Sequence, residues 1–215
     1  MLIPSLLPAS EDLLDRAIVE AYEGARHQLE IKPFEGGLDG IFPVYGALSM
    51  TEAITFRWRG KKIQGALPVF VFGKKTFSIR PRDKKIILSA EALGLKSGQK
   101  YEWYLGRKEG EKIIAQSRVF RFEILSSQSA DRLKKDLENL ISLPAKTKEG
   151  RRFMEAQIYY KYRMYHAMVA LLEPLYKMAP TESLRKPLFL GYVKLGRHHE
   201  AKKFAPNFGA PKNHR

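Results

Sequence analysis

Ala53-Ile54-Thr55-Phe56-Arg57-Trp58-Arg59 is the stretch whose reading decides the fold. Ile54, Phe56 and Trp58 alternate with Thr55, Arg57 and Arg59. A period of two sends alternate side chains to opposite faces of a pleated strand, so one face is expected to be buried and the other to meet water. The same reading extends downstream. Leu67 to Phe72 is a short apolar run ended by Gly73-Lys74-Lys75, with Pro68 near its start, where a missing N–H is tolerated. Phe77 and Ile79 alternate ahead of Arg80-Pro81-Arg82-Asp83, a turn signal. Ile86 to Ser89 follows. Tyr101, Trp103 and Leu105 alternate with Glu102 and Tyr104, and Phe120, Phe122 and Ile124 with Arg121 and Glu123. Short strands at near-even spacing, separated by turn residues, predict an antiparallel β-sandwich.

Inside this run, Leu95-Lys96-Ser97-Gly98-Gln99-Lys100-Tyr101 resembles the approach to strand F of fibronectin type III domains, with Ser97 where that family usually has proline. The resemblance implies a tyrosine corner, in which the Tyr101 hydroxyl bonds to backbone near Leu95. It also implies that Trp58 is the strand-B tryptophan of a fibronectin- or immunoglobulin-like sandwich. The alternative is an unrelated all-β sandwich.

The 215 residues leave room for one or two domains. With 44% hydrophobic and 28% charged residues the chain can bury a core. It has no cysteine, which excludes disulfides, thiolate metal sites and cysteine nucleophiles and leaves the redox compartment undecided. No apolar run approaches the length of a membrane span. The formal net charge is +15, unevenly spread. Residues 1–45 carry 3 Lys/Arg against 8 Asp/Glu, residues 46–125 carry 17 against 7, and residues 126–215 carry 18 against 8. An acidic head on a basic body fits self-association, an anionic partner or solubility.

Four divisions are expected. Residues 1–45 hold an apolar arm and an amphipathic helix that opens at Ser10-Glu11-Asp12, with Leu14, Ile18, Ala21, Tyr22, Ala25 and Leu29 on one face. Met1 to Ala9 lacks the basic start and the length of a signal peptide. It reads either as a loose arm or as what remains after a native export signal was replaced. Residues 46–125 are the sandwich, 126–206 a helical domain, and 207–215 a flexible tail. In the helical part, Leu133, Leu137, Leu140 and Ile141 are in register ahead of Pro144. Ala156, Tyr159, Tyr160 and Met164 mark one helix, and Met168, Leu171, Leu172 and Leu175 the next, with a bend expected at Pro174. Leu184, Leu188, Tyr192 and Leu195 mark a third, ended by Gly196.

Arg163 and Ala167 recur downstream as Arg197 and Ala201, both at the same offset. The segment Leu188, Tyr192, Gly196, Ala201 resembles a tetratricopeptide repeat, which would place both alanines at equivalent positions between paired helices. The alternative is an ordinary helical bundle. A fibronectin-like sandwich followed by repeat-like helices, in an α+β multidomain chain, is similar in architecture to several uncharacterised bacterial envelope proteins. The resemblance implies a protein-binding or spacer role and a periplasmic or envelope location, with the cytoplasm as the alternative.

No phosphate loop, dinucleotide fingerprint or nucleophile elbow is present, so neither an enzyme nor a cofactor is expected. His198-His199-Glu200 is the one metal-like cluster, and neighbours about 100° apart on a helix chelate one ion poorly. Two surfaces remain. Tyr159, Tyr160, Lys161, Tyr162, Arg163 and Tyr165 form an aromatic and basic stretch, and one helix cannot bury all its tyrosines on a single stripe. Exposed tyrosine beside Lys161 and Arg163 would suit a protein contact, whereas buried tyrosine would join the helices to the sandwich. Arg57, Arg59, Lys61, Lys62, Lys74, Lys75, Arg80 and Arg82 crowd one third of the sandwich. They read either as solvated strand edges or as an anion-binding face. The expected role is a non-enzymatic interaction scaffold; the alternative is a cytosolic nucleic-acid or other polyanion binder.

Overall fold

The computed structural model describes residues 39–59, 67–79, 84–142 and 147–205. The expected N-terminal helix, Lys61, Lys62, Arg80, Arg82 and the tail 207–215 lie outside the described residues.

All six expected strands form: β3 (Ala53–Arg59), β4 (Leu67–Phe72), β5 (Lys75–Ser78), β6 (Lys85–Ser89), β7 (Lys100–Glu109) and β9 (Phe120–Ile124). Three more are present, β1 (Asp39–Phe42), β2 (Ala47–Leu48) and β8 (Lys112–Gln116). A one-turn helix, α1 (Ala90–Leu93), follows β6 and is capped by the Ser89 hydroxyl, which accepts the Ala92 N–H at 3.0 Å. β1 starts before residue 46, so strand structure begins upstream of the expected boundary.

The strands make two sheets. One has the order β1-β3-β6; the other runs β2-β9-β7-β4-β5, with β8 also on β7. Every described pairing is antiparallel except β2 on β9. The parallel pair departs from the all-antiparallel expectation, and it is only two residues long.

The alternation read from the sequence decides which faces meet. Ile54, Phe56 and Trp58 are buried while Arg57 is exposed. They enter one cluster with Phe70, Phe72, Trp103, Leu105, Phe120, Phe122 and Ile124 of the other sheet. The Phe56 ring stands 4.6 Å from Phe70 and 5.5 Å from Trp103, centroid to centroid. Trp103 is fully buried, and its indole N–H donates to the Pro43 carbonyl at 2.6 Å, so burying it strands no donor.

The Tyr101 hydroxyl accepts the Lys96 N–H at 2.6 Å and lies 3.4 Å from the Gly94 carbonyl, within the expected neighbourhood of Leu95. Tyr101 is half-buried, stacked on Phe72 at 5.4 Å, and its hydroxyl is near solvent. Ser97 donates its hydroxyl hydrogen to the Leu125 carbonyl at 3.0 Å, tying the turn to the end of β9.

Helices follow: α2 (Ser127–Ser142), α3 (Lys148–Lys161), α4 (Tyr165–Met178), α5 (Glu182–Lys194) and α6 (His198–Ala201), the last continued by a 3-10 turn to Phe204. α2 starts at Ser127, ahead of the register of Leu133, Leu137, Leu140 and Ile141, because the Ser126 hydroxyl accepts the Ser129 N–H at 3.2 Å. The Thr147 hydroxyl caps α3 by accepting the Gly150 N–H at 3.0 Å. α4 runs on through Pro174; the carbonyl that loses its partner belongs to Ala170, an exposed residue that water can reach.

The starts of α3 and α5, at Lys148 and Glu182, keep the offset that relates Arg163 to Arg197, but α3 has 14 residues and α5 has 13. Their C-terminal turns therefore match one residue earlier. Tyr162, Arg163 and Met164 donate to Ile158, Tyr160 and Tyr159; Leu195, Gly196 and Arg197 donate to Gly191, Val193 and Tyr192. The register corrects the equivalence of the two alanines. Ala201 corresponds to Met168, and both are buried. Ala167 is half-buried and packs in a second cluster with Leu133 and Met164.

Candidate functional site

The short link between β1 and β2 is where the sheets meet the helices. Tyr45 and Gly46 have φ of 38° and 100°. Each faces one of the two matching turns. A Cβ on Gly46 would lie 2.7 Å from the Arg163 carbonyl oxygen, and one on Gly196 would lie 2.8 Å from the Tyr45 ring. Only glycine permits these approaches. The Ala47 N–H donates to the Arg163 carbonyl at 2.9 Å. Arg163 itself holds φ 60°, the non-glycine counterpart of Gly196 at 66°.

Polar contacts reinforce the joint. Arg59 of β3 forms a two-pronged pair with Glu200 of α6 at 2.6 and 3.3 Å, and Arg197 adds a third bond at 3.0 Å. Burial opposes ionisation of Glu200, but the bonds from Arg59 and Arg197 outweigh it and hold the carboxyl below its ordinary range. His166 of α4 lies against Phe42 at 4.6 Å, with Nε2 at 3.2 Å from the Val44 nitrogen and 3.0 Å from its carbonyl. Burial, with Arg197 and Arg57 nearby, lowers its pKa to about 4, so the ring is neutral at physiological pH. The apolar core continues across the joint, since the cluster holding Phe56 and Trp103 also holds Met168, Leu172, Leu188 and Leu190.

The tyrosine-rich stretch gathers here. Tyr159, Tyr160, Tyr162 and Tyr165 are all half-buried, so each ring is shared between packing inside the fold and solvent. Tyr160 and Tyr165 pack at 5.9 Å. Tyr162 donates to Asp136 of α2 at 2.8 Å, and Lys161 pairs with the same carboxylate at 2.8 Å; the bonds from Lys161 and Tyr162 hold Asp136 below its usual range. Arg163 pairs with Glu123 of β9 at 3.1 Å.

The basic face is also partly engaged. Arg59 is held by Glu200, Arg57 lies 5.6 Å over the Phe42 ring, and Lys75 donates to the Ala92 carbonyl. Lys74 is exposed. His198, His199 and Glu200 do not converge, and no group of three or more His, Cys, Asp or Glu able to hold a metal occurs among the described residues. No helix among them is long and apolar enough to cross a membrane.

Beside the joint lies an open cleft of about 860 Å³, lined by Tyr45, Gly46, Lys100, Tyr101, Glu102, Arg121, Phe122, Glu123, Arg163, Tyr165 and Lys194. It unites the outer faces of β7 and β9 with the α3–α4 turn and the end of α5. Arg163 and Tyr165 belong to the stretch singled out from the sequence. Lys100, Glu102, Arg121, Glu123 and Lys194 were not singled out, because three separate elements supply them. The trace they leave is the polar half of two alternating strands.

No known family model matches the chain, and no curated protein matches it. Among solved structures it is similar to the crystal structure of the endo-β-1,4-mannanase from Thermotoga petrophila, with a TM-score of 0.32 and 11% identity. The match covers 46% of this chain and 21% of the mannanase.

Proposed function

We propose that the protein is a non-enzymatic interaction scaffold, in which a fibronectin- or immunoglobulin-like sandwich is locked to tetratricopeptide-like hairpins and a partner protein is held at the joint. Several features support the sandwich reading. With β1, β3 and β6 as strands A, B and E, and β5, β4, β7 and β9 as C′, C, F and G, the sheet orders follow that family, and the Tyr101 bond sits near the start of F. Short connections between the helices, and helix starts just after Thr147 and Thr181, one repeat unit apart, support the repeat reading. The bacterial envelope is the proposed setting, on the likeness to envelope proteins alone, with the cytoplasm as the alternative.

The observation that carries the reading is the joint itself. Two matching turns seat on adjacent residues, Tyr45 and Gly46, and the cleft opens beside them. A rigid concave surface built from both halves loses little conformational entropy when a partner docks. The polyanion alternative has less support, because Arg57, Arg59 and Lys75 already have partners within the fold.

The test is site-specific photo-crosslinking in the native host. A photoreactive residue at Lys194, in the cleft, is expected to capture one dominant protein. The same residue at Ile87, exposed on the far sheet, is expected not to capture it. Equal capture at both positions, or none at Lys194, would overturn the reading.

A further inference from the structure

We propose that the cleft binds an extended, acidic peptide segment, which names the partner chemistry of the joint and rests on the scaffold reading above. Its lining carries four cations, Lys100, Arg121, Arg163 and Lys194, against two carboxylates, Glu102 and Glu123. The carboxylates are already committed. Glu102 takes Arg121 at 2.6 Å and Glu123 takes Arg163 at 3.1 Å. Lys100 stands opposite Glu123 in the β7–β9 register, where a cross-strand pair would ordinarily form. Arg163 reaches across the joint and takes that carboxylate instead. Lys100 and Lys194 are exposed and have no ion-pair partner among the described residues. Two unmatched charges in one concave site call for two negative charges on the ligand.

The surroundings choose among anions. Tyr45 lies against Gly196 and Tyr165 against Gly46, so each ring already packs on backbone and is a poor platform for stacking bases. A phosphodiester carries a charge at every step, more than two unmatched lysines can answer. Separated acidic side chains can supply two charges and no more. The strand face also presents like positions about 7 Å apart, the repeat of alternate side chains on an extended peptide.

The test uses the full chain and fluorescence anisotropy. The probes are a labelled peptide of about ten residues alternating Glu and Ala, and its Gln counterpart. The Glu peptide is expected to bind, the Gln peptide not, and binding to weaken as salt rises. Lys100→Glu with Lys194→Glu should weaken it roughly tenfold or more, and the milder Lys100→Gln with Lys194→Gln should weaken it less. Lys74→Glu with Lys112→Glu, outside the cleft, should change it little. Absence of binding, survival of binding in both cleft variants, or equal loss in the Lys74/Lys112 control would overturn the assignment. A partner crosslinked at Lys194 together with no acidic-peptide binding would sink this inference while leaving the scaffold reading standing.

Discussion

Replacing Gly46 by alanine should break the joint at its tightest point. Alanine at φ 100° is strained by about 1–2 kcal/mol. The new methyl would also lie 2.7 Å from the Arg163 carbonyl oxygen, so one side of the joint must retreat. That oxygen accepts the Ala47 N–H at 2.9 Å, and retreat forfeits the bond, at about 1 kcal/mol more. The sum is about 2–3 kcal/mol. Gly73 is the natural control: its φ is 55°, yet an added Cβ meets nothing within 4 Å. Gly73→Ala should cost only the strain. Urea unfolding of both variants measures the difference as a shift in midpoint at constant slope. If Gly46→Ala is no more destabilising than Gly73→Ala, the Tyr45–Gly46 link does not seat on the turns as described.

Three further outcomes follow from the same geometry. Tyr101→Phe should cost about 0.5–1.5 kcal/mol in urea melts, at the lower end of the effect expected for a buried hydroxyl, because the bonded oxygen is near solvent. His166 has a folded pKa of about 4 against 6.5 for an ordinary histidine, so protonation favours the unfolded chain. Stability should be full above pH 6.5, fall by up to about 3 kcal/mol as pH drops toward 4, and gain no further loss from this group below that; His166→Phe should flatten the slope in that window. Glu200→Gln should destabilise by about 1–2 kcal/mol at pH 7, since Arg59 and Arg197 lose a carboxylate that is only 12% exposed; a variant within about 0.3 kcal/mol of the parent would show the triad to be idle.

The strands were legible wherever one face is buried, because burial imposes the period of two: Ile54-Phe56-Trp58 and Phe120-Phe122-Ile124 announce themselves. β1, β2 and β8 left no such trace. β1 is a short strand in a glycine-bearing segment, β2 is shorter still and held by β9, and β8 carries adjacent isoleucines without alternation. The tyrosines from Tyr159 to Tyr165 were visible as a surplus, but what covers Tyr162 and Tyr165 depends on Asp136 and Gly46, far away in the chain. The repeat-like spacing was visible in Arg163 and Arg197, and α3 and α5 start at that same offset. One residue missing from α5 shifts every later equivalence, and pairing alanines by spacing alone could not detect it. The cleft was illegible because its lysines come from β7 and α5 and acquire meaning only where those elements converge.

The most direct test of the account is native-state hydrogen exchange at single amides. The Ala47 N–H, bonded across the joint to Arg163, and the Val44 N–H, beside His166, report on the joint. The Leu105 N–H, bonded to the buried Ser117 hydroxyl at 3.1 Å, reports on the sheet core. If sheets and helices form one rigid scaffold, the joint amides open with the same free energy as Leu105, to within about 1 kcal/mol. Joint amides that open several kcal/mol more easily, while Leu105 keeps its protection, would mean that the two halves separate on their own and that the joint is a hinge.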